Sequence, residues 1–176
     1  APALQGGLTL AAESGLYVSV WGSSVDFGGQ GTLELDVMLG WSGDIAEGWS
    51  ADVGIMRYGY PNTEFEGSNF WEAYGSVSYK DFTLGLTYSD DFYGNTGKYY
   101  YIYAGYSLAL TENFAVDFHI GQNEFSDDSS LSYLDYGVTL STEVLGIGLS
   151  LAYIDTDVKD CNLCDSRVVF GVSKSF

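Results

Sequence analysis

Apolar and polar residues alternate with a period of two along nearly the whole chain. In LELDVMLGW, Leu33, Leu35, Val37, Leu39 and Trp41 fall on one face, with Glu34, Asp36, Met38 and Gly40 on the other. Successive side chains of a strand point to opposite faces in this way. FAVDFHIG opposes Phe114, Val116, Phe118 and Ile120 to Ala115, Asp117, His119 and Gly121. FTLGLTY and GIGLSLAY repeat the rhythm, and no helical spacing competes with it. The alternation predicts eleven strands, at 3–12, 16–26, 32–42, 48–60, 69–79, 82–90, 98–110, 114–124, 131–142, 146–157 and 166–176. Pro2 and Pro61 fall outside the strand centres, which suits strands that pair on both sides.

The connections sort by length as the chain advances. ESG is tight and FGGQG modest; SGDIAEG is compact and PNTEFEGSN long. Lys80–Asp81 is nearly minimal, DDFYGNTGK opens out, TEN is tight, FSDDSS is acidic, TEVLG is short and VKDCNLCDS is the last long excursion. Short turns at one end of a sheet and long loops at the other is the pattern of an up-and-down barrel in an outer membrane. A soluble sandwich has no reason to sort its loops so.

Periodicity alone does not say which face points inward. In a sandwich the greasy faces of two sheets meet; in a barrel set in lipid the greasy face points out. Three features favour lipid. Lysine, the usual guard of soluble sheet edges, is scarce. Trp41, Trp49, Tyr58, Tyr60, Trp71, Tyr79, Tyr88 and Tyr153 gather near strand ends, where rings with a polar tip form the girdles of membrane barrels. The polar face is rich in glycine, serine and threonine, which leave room inside a curved wall. No apolar run approaches the roughly 20 residues of a spanning helix, and APALQGGLTL gives no basic start of the kind that opens a signal peptide. The 176 residues read as a single barrel domain, 1–176.

Charge narrows the functional classes. The chain carries 24 acidic against 6 basic residues, a formal net charge of −18. Nucleic acid and anionic surfaces are poor partners for such a chain; outer-membrane lipid, small solutes and cations are the expected ones. Glu34, Asp36, Asp52, Glu72, Asp117, His119 and Asp135 map to the polar face and are the candidate pore lining. Arg57 and Arg167 are candidate basic partners near the outer rim. Glu34 and Asp36, two positions apart, lie about 7 Å from each other. Their repulsion is roughly 0.6 kcal/mol in water and about 2.4 kcal/mol at an effective dielectric of 20, so a wet lumen draws cations and a dry one demands protons or partners. Twelve strands would give a passage between the filled interior of eight and the open channel of sixteen.

Cys161 and Cys164 form a lone CxxC, which reads as a local disulfide, paired loop thiols, a redox pair or half a zinc site. No second ligand pair accompanies it, and no metal or cofactor is expected. The single histidine leaves a Ser–His–Asp site improbable, and GSS and GSN lack the strand–turn–helix setting of a nucleophile elbow. No catalytic residues are assigned. The acidic loops read as solvated outer loops, with divalent-cation binding in a structural polymer as the alternative.

GLYVSVWGSSVDF, LELDVMLGWSG, ADVGIMRYGYP, FWEAYGSVSY and SRVVFGVSKSF, in this order and spanning nearly the whole chain, resemble the TorF-type porins, small outer-membrane barrels of poorly defined function. The resemblance implies one more strand ahead of the first, bearing a tyrosine–aromatic–arginine segment absent here. Parity agrees, since such barrels have even strand numbers. Twelve strands are therefore expected for the closed wall, the twelfth missing or supplied by a neighbour as in a homopolymer. The closing strand, with Phe170, Val172 and Phe176 on one face, resembles the sorting signal of outer-membrane barrels, and Lys174 on that face is expected to snorkel at the periplasmic rim.

Overall fold

A computed structural model of the protein describes residues 2–25, 33–61, 66–161 and 164–176. The expected FGGQG loop, part of PNTEFEGSN and the middle of the CxxC loop lie outside the described residues. The chain forms one antiparallel up-and-down sheet of eleven strands in sequence order. These are β1 (Gln5–Ala11), β2 (Leu16–Ser24), β3 (Leu33–Ala46), β4 (Trp49–Gly59), β5 (Phe70–Tyr79), β6 (Phe82–Ser89), β7 (Tyr99–Ala109), β8 (Phe114–Phe125), β9 (Tyr133–Val144), β10 (Ile147–Thr156) and β11 (Arg167–Ser173). A 3-10 turn, Ser129–Leu131, precedes β9 and is capped by Asp128, whose side chain accepts from the Ser130 N–H. Among the described residues no helix is long and apolar enough to cross a membrane.

Every connection follows the alternation of lengths. The β3–β4, β5–β6 and β9–β10 hairpins close through Glu47–Gly48, Lys80–Asp81 and Leu145–Gly146. Leu145 and Gly146 both have positive φ, 54° and 72°, the backbone of a two-residue hairpin turn. SGDIAEG is shorter than its letters suggest: β3 continues through it to Ala46, with a register shift between Asp44 and Ala46. Such a bulge lets a strand bend without ending. β11 ends at Ser173, short of the expected 176. Lys174 instead donates from Nζ to the Gly146 carbonyl at the neighbouring short turn, 2.8 Å away, and Phe176 lies outside the strand and fully exposed.

The sheet curls. Tyr17 on β2 and Tyr74 on β5 are three strands apart, which in a flat sheet is about 14 Å, yet their hydroxyls meet at 2.5 Å. The concave face is polar and the convex face is large and apolar. Leu35 is 42% exposed and Phe118 44%, so neither belongs to a packed interior. Leu39, Ile55, Leu84, Leu86, Ile102, Ile120, Val138, Leu140 and Leu151 are likewise exposed. Aromatic rings border this aliphatic belt on both sides. At the short-turn end Trp49 packs on Tyr79 and Phe82 on Tyr106, with centroids 4.7 and 4.5 Å apart. At the long-loop end Tyr88 packs on Tyr100 at 5.1 Å, and Arg57 lies over Trp71 at 5.8 Å.

β1 and β11 each pair with one neighbour, and among the described residues no ladder joins them. Eleven alternating strands leave these two edges running in the same direction. The curled sheet is therefore not closed by its own antiparallel pairing.

Candidate pore lining

The concave face follows from strand parity. Even residues of β3, β4 and β5 point inward, and odd residues of β2, β7, β8 and β9 meet them through the ladder register. Glu34, Asp36, Asp52, Glu72, Asp117, His119 and Asp135 all occupy inward positions. They do not form one cluster. Asp52 takes a 2.7 Å hydrogen bond from the Tyr17 hydroxyl, which also contacts Tyr74. Asp117 accepts from Ser107 at 2.6 Å. Asp135 is the hub of a third group: His119 Nε2 lies 2.9 Å and the Tyr101 hydroxyl 3.1 Å from its Oδ1, and Asn123 donates to Oδ2 at 2.7 Å. Tyr101 also meets His119 Nε2 at 2.6 Å, and Tyr99 donates to Asn123 at 2.5 Å.

A fourth group sits toward the long loops. Asp36 and Glu72 are 4% and 6% exposed. Tyr58, Tyr60 and Glu72 line the same concave space. The expected basic partner is not there, because Arg57 points outward with its guanidinium on Trp71. Arg167 opens β11 in register with Ile154.

Sequence reasoning missed the tyrosines as lining residues. Tyr58 and Tyr60 were expected in the outer girdles, but Tyr58 shares the parity of Asp52 and faces inward with it. With Tyr17, Tyr74, Tyr99, Tyr101, Asp52 and Glu72 they line a cavity of about 610 Å³ on the concave side. The same parity rule, applied to rings as well as acids, finds all the strand tyrosines. What parity cannot find is Phe92. The loop between β6 and β7 turns inward: Phe92 stacks on Tyr99 at 4.0 Å and packs on Phe70 and Phe125 at 4.7 and 5.6 Å. Tyr93 meets Tyr60 edge-on at 5.5 Å. The Gly94 N–H donates to the Gly67 carbonyl at 2.8 Å, tying this loop to the one between β4 and β5. The loop is thus an aromatic cover over one end of the cavity.

Cys161 and Cys164 are joined by a disulfide within the β10–β11 loop. Among the described residues no group of three or more His, Cys, Asp or Glu is arranged to hold a metal ion.

A curled up-and-down sheet with an aliphatic belt outside, aromatic borders and a polar concavity is the β-barrel fold of porins. The NanC porin structure superposes on it with a TM-score of 0.66 at 14% identity, covering 99% of this chain and 93% of that one. A second solved porin matches at a TM-score of 0.48 and 12% identity, covering 94% of this chain and 59% of that one. Residues 1–176 match Gcw_chp, a bacterial protein family of unknown function, and the chain belongs to that family. No curated protein matches the sequence.

Proposed function

We propose that the protein is an outer-membrane channel that passes small neutral or cationic solutes and ions through a narrow acidic lumen. One observation carries this reading: the large apolar side chains lie on the exposed convex face, and the carboxylates lie on the concave one. Water is a poor solvent for an exposed belt of this extent, whereas hydrocarbon is a good one, and a wet acidic wall attracts cations. In this reading lipid is the first partner, and the protein works as a TorF-type porin. Phe170, Val172 and Phe176 serve the barrel-sorting machinery, and a twelfth strand completes the wall. His119 is engaged by Tyr101 and Asp135, and in this reading the three serve the lumen wall.

Reconstitution in planar bilayers tests the proposal. Discrete conductance steps and a reversal potential favouring cations are expected in a salt gradient. An absence of steps, or anion preference, overturns it. The aromatic cover and the unpaired edges of β1 and β11 favour a second reading, a plugged structural barrel that assembles into a homopolymer by sharing strands. That reading gives no conductance and a particle mass that grows with concentration.

A further inference from the structure

A second cavity, of about 640 Å³, opens at the long-loop end of the sheet. Three loops converge on it: β6–β7 brings Phe92, β8–β9 brings Leu131, and β10–β11 brings Val158 and Lys159. Phe125 and Tyr133 join them from the adjoining strand ends. Phe92 also borders the lumen cavity, so one ring is shared by both spaces. Against these apolar walls stand two charges of opposite sign, Asp157 and Lys159, both exposed and both lining the same cavity. They make no ion pair with each other or with any other described residue. Asp157 is held in place from β9. Its N–H donates to the Leu134 carbonyl at 3.0 Å and its Oδ1 accepts the Leu134 N–H at 2.8 Å, which leaves Oδ2 unspent. The Thr156 hydroxyl donates to the Cys164 carbonyl at 3.0 Å, and the disulfide closes the loop just beyond Lys159.

We infer that this outer cavity binds a small amphipathic zwitterion, an α-amino acid with an apolar side chain. The side chain replaces water against Phe92, Phe125 and Leu131, a transfer that favours binding. The ammonium donates to Asp157 and the carboxylate accepts from Lys159, so each charge of the cavity meets its opposite on the solute. A simple cation would meet like charge at Lys159, and a simple anion would meet it at Asp157. A zwitterion carries no net charge, so the acidic lumen beyond Phe92 does not repel it. The inference rests on the channel reading for the solute's onward passage, and on the cavity alone for its binding.

Calorimetric titration of the folded protein in detergent micelles measures binding whether or not the barrel conducts. The probes are phenylalanine, phenethylamine (no carboxylate), 3-phenylpropionate (no ammonium) and glycine (no ring). Phenylalanine is expected to bind saturably, at least about five-fold more tightly than either singly charged probe and at least about ten-fold more tightly than glycine. Lys159→Met is expected to erase the preference over phenethylamine, and Asp157→Asn the preference over 3-phenylpropionate. Asn keeps an Oδ1 for the Leu134 N–H and Lys159 lies on an exposed loop, so both variants are expected to fold. Glu143→Gln, at the short-turn end of β9, is expected to change nothing. No saturable binding of phenylalanine, equal affinity for all four probes, or preferences that Lys159→Met and Asp157→Asn leave intact each overturns the site. Phenylalanine binding without conductance in bilayers would sink the channel reading and leave the site standing; conductance without binding would do the reverse.

Discussion

Tyrosine and glycine share the work of filling the concave face. Tyr17 lies opposite Gly40 in the ladder, Tyr74 opposite Gly54 and Tyr103 opposite Gly85, and each ring lies across its glycine. A Cβ at Gly85 would overlap the Tyr103 ring, which supplies its three nearest atoms. At Gly54 it would meet both the Tyr74 hydroxyl at 2.5 Å and the Leu39 carbonyl oxygen at 2.7 Å. The two sites therefore predict different responses to one methyl group. Gly85→Ala costs about 1–3 kcal/mol as an overpacked site, and removing the ring with Tyr103→Ala in the same protein cancels most of that cost. Gly54→Ala costs a similar amount, but Tyr74→Ala does not cancel it, since the backbone clash with Leu39 remains. Reversible urea unfolding in lipid vesicles, analysed as a double-mutant cycle, measures both couplings. The alternation in the sequence marks each of these residues as inward-facing. It does not show which ring crosses which glycine, because that depends on the register between strands.

At the scale of elements, the walls were legible and one loop was not. Strand positions follow from period-two patterning, which is a local property. β3 runs beyond its expected end because Ile45 keeps the alternation alive and a bulge absorbs the bend. The β6–β7 loop reads as an acidic, solvated excursion, and most of it is polar. Its inward fold depends on Phe92 finding Phe70, Tyr99 and Phe125 on three other strands, a long-range match that no local pattern encodes. Aromatic pairs contribute about 0.5–1.5 kcal/mol each. Phe92→Ala is thus expected to lose roughly 2 kcal/mol of loop anchoring, about thirty-fold in the open population. Amide exchange should quicken in the loop while β6 and β7 keep their protection, and single-channel conductance should rise. Unchanged exchange and conductance would show that the ring is not what holds the cover.

For the molecule as a whole, the physics of the two edges decides what the barrel needs. In hydrocarbon each unpaired backbone N–H or C=O costs several kcal/mol, and β1 and β11 each present a row of them. They run parallel to each other, while every other pair in the sheet is antiparallel. One added strand, antiparallel to both, gives the even count and removes both rows at once. Closure by direct β1–β11 contact would instead need a parallel seam. Hydrogen exchange in lipid vesicles separates the cases. We expect the β1 and β11 amides to exchange about as slowly as those of the central strand β6, with engineered cysteines at Leu8 and Phe170 too far apart to join. Fast exchange at both edges would mean that the sheet stays open and hydrocarbon does not surround it. Slow exchange with ready joining of the two cysteines would mean a parallel seam. Repeating the measurement at several protein-to-lipid ratios then identifies the donor: protection that falls on dilution belongs to a neighbouring copy, and protection that persists belongs to a strand of the same polypeptide.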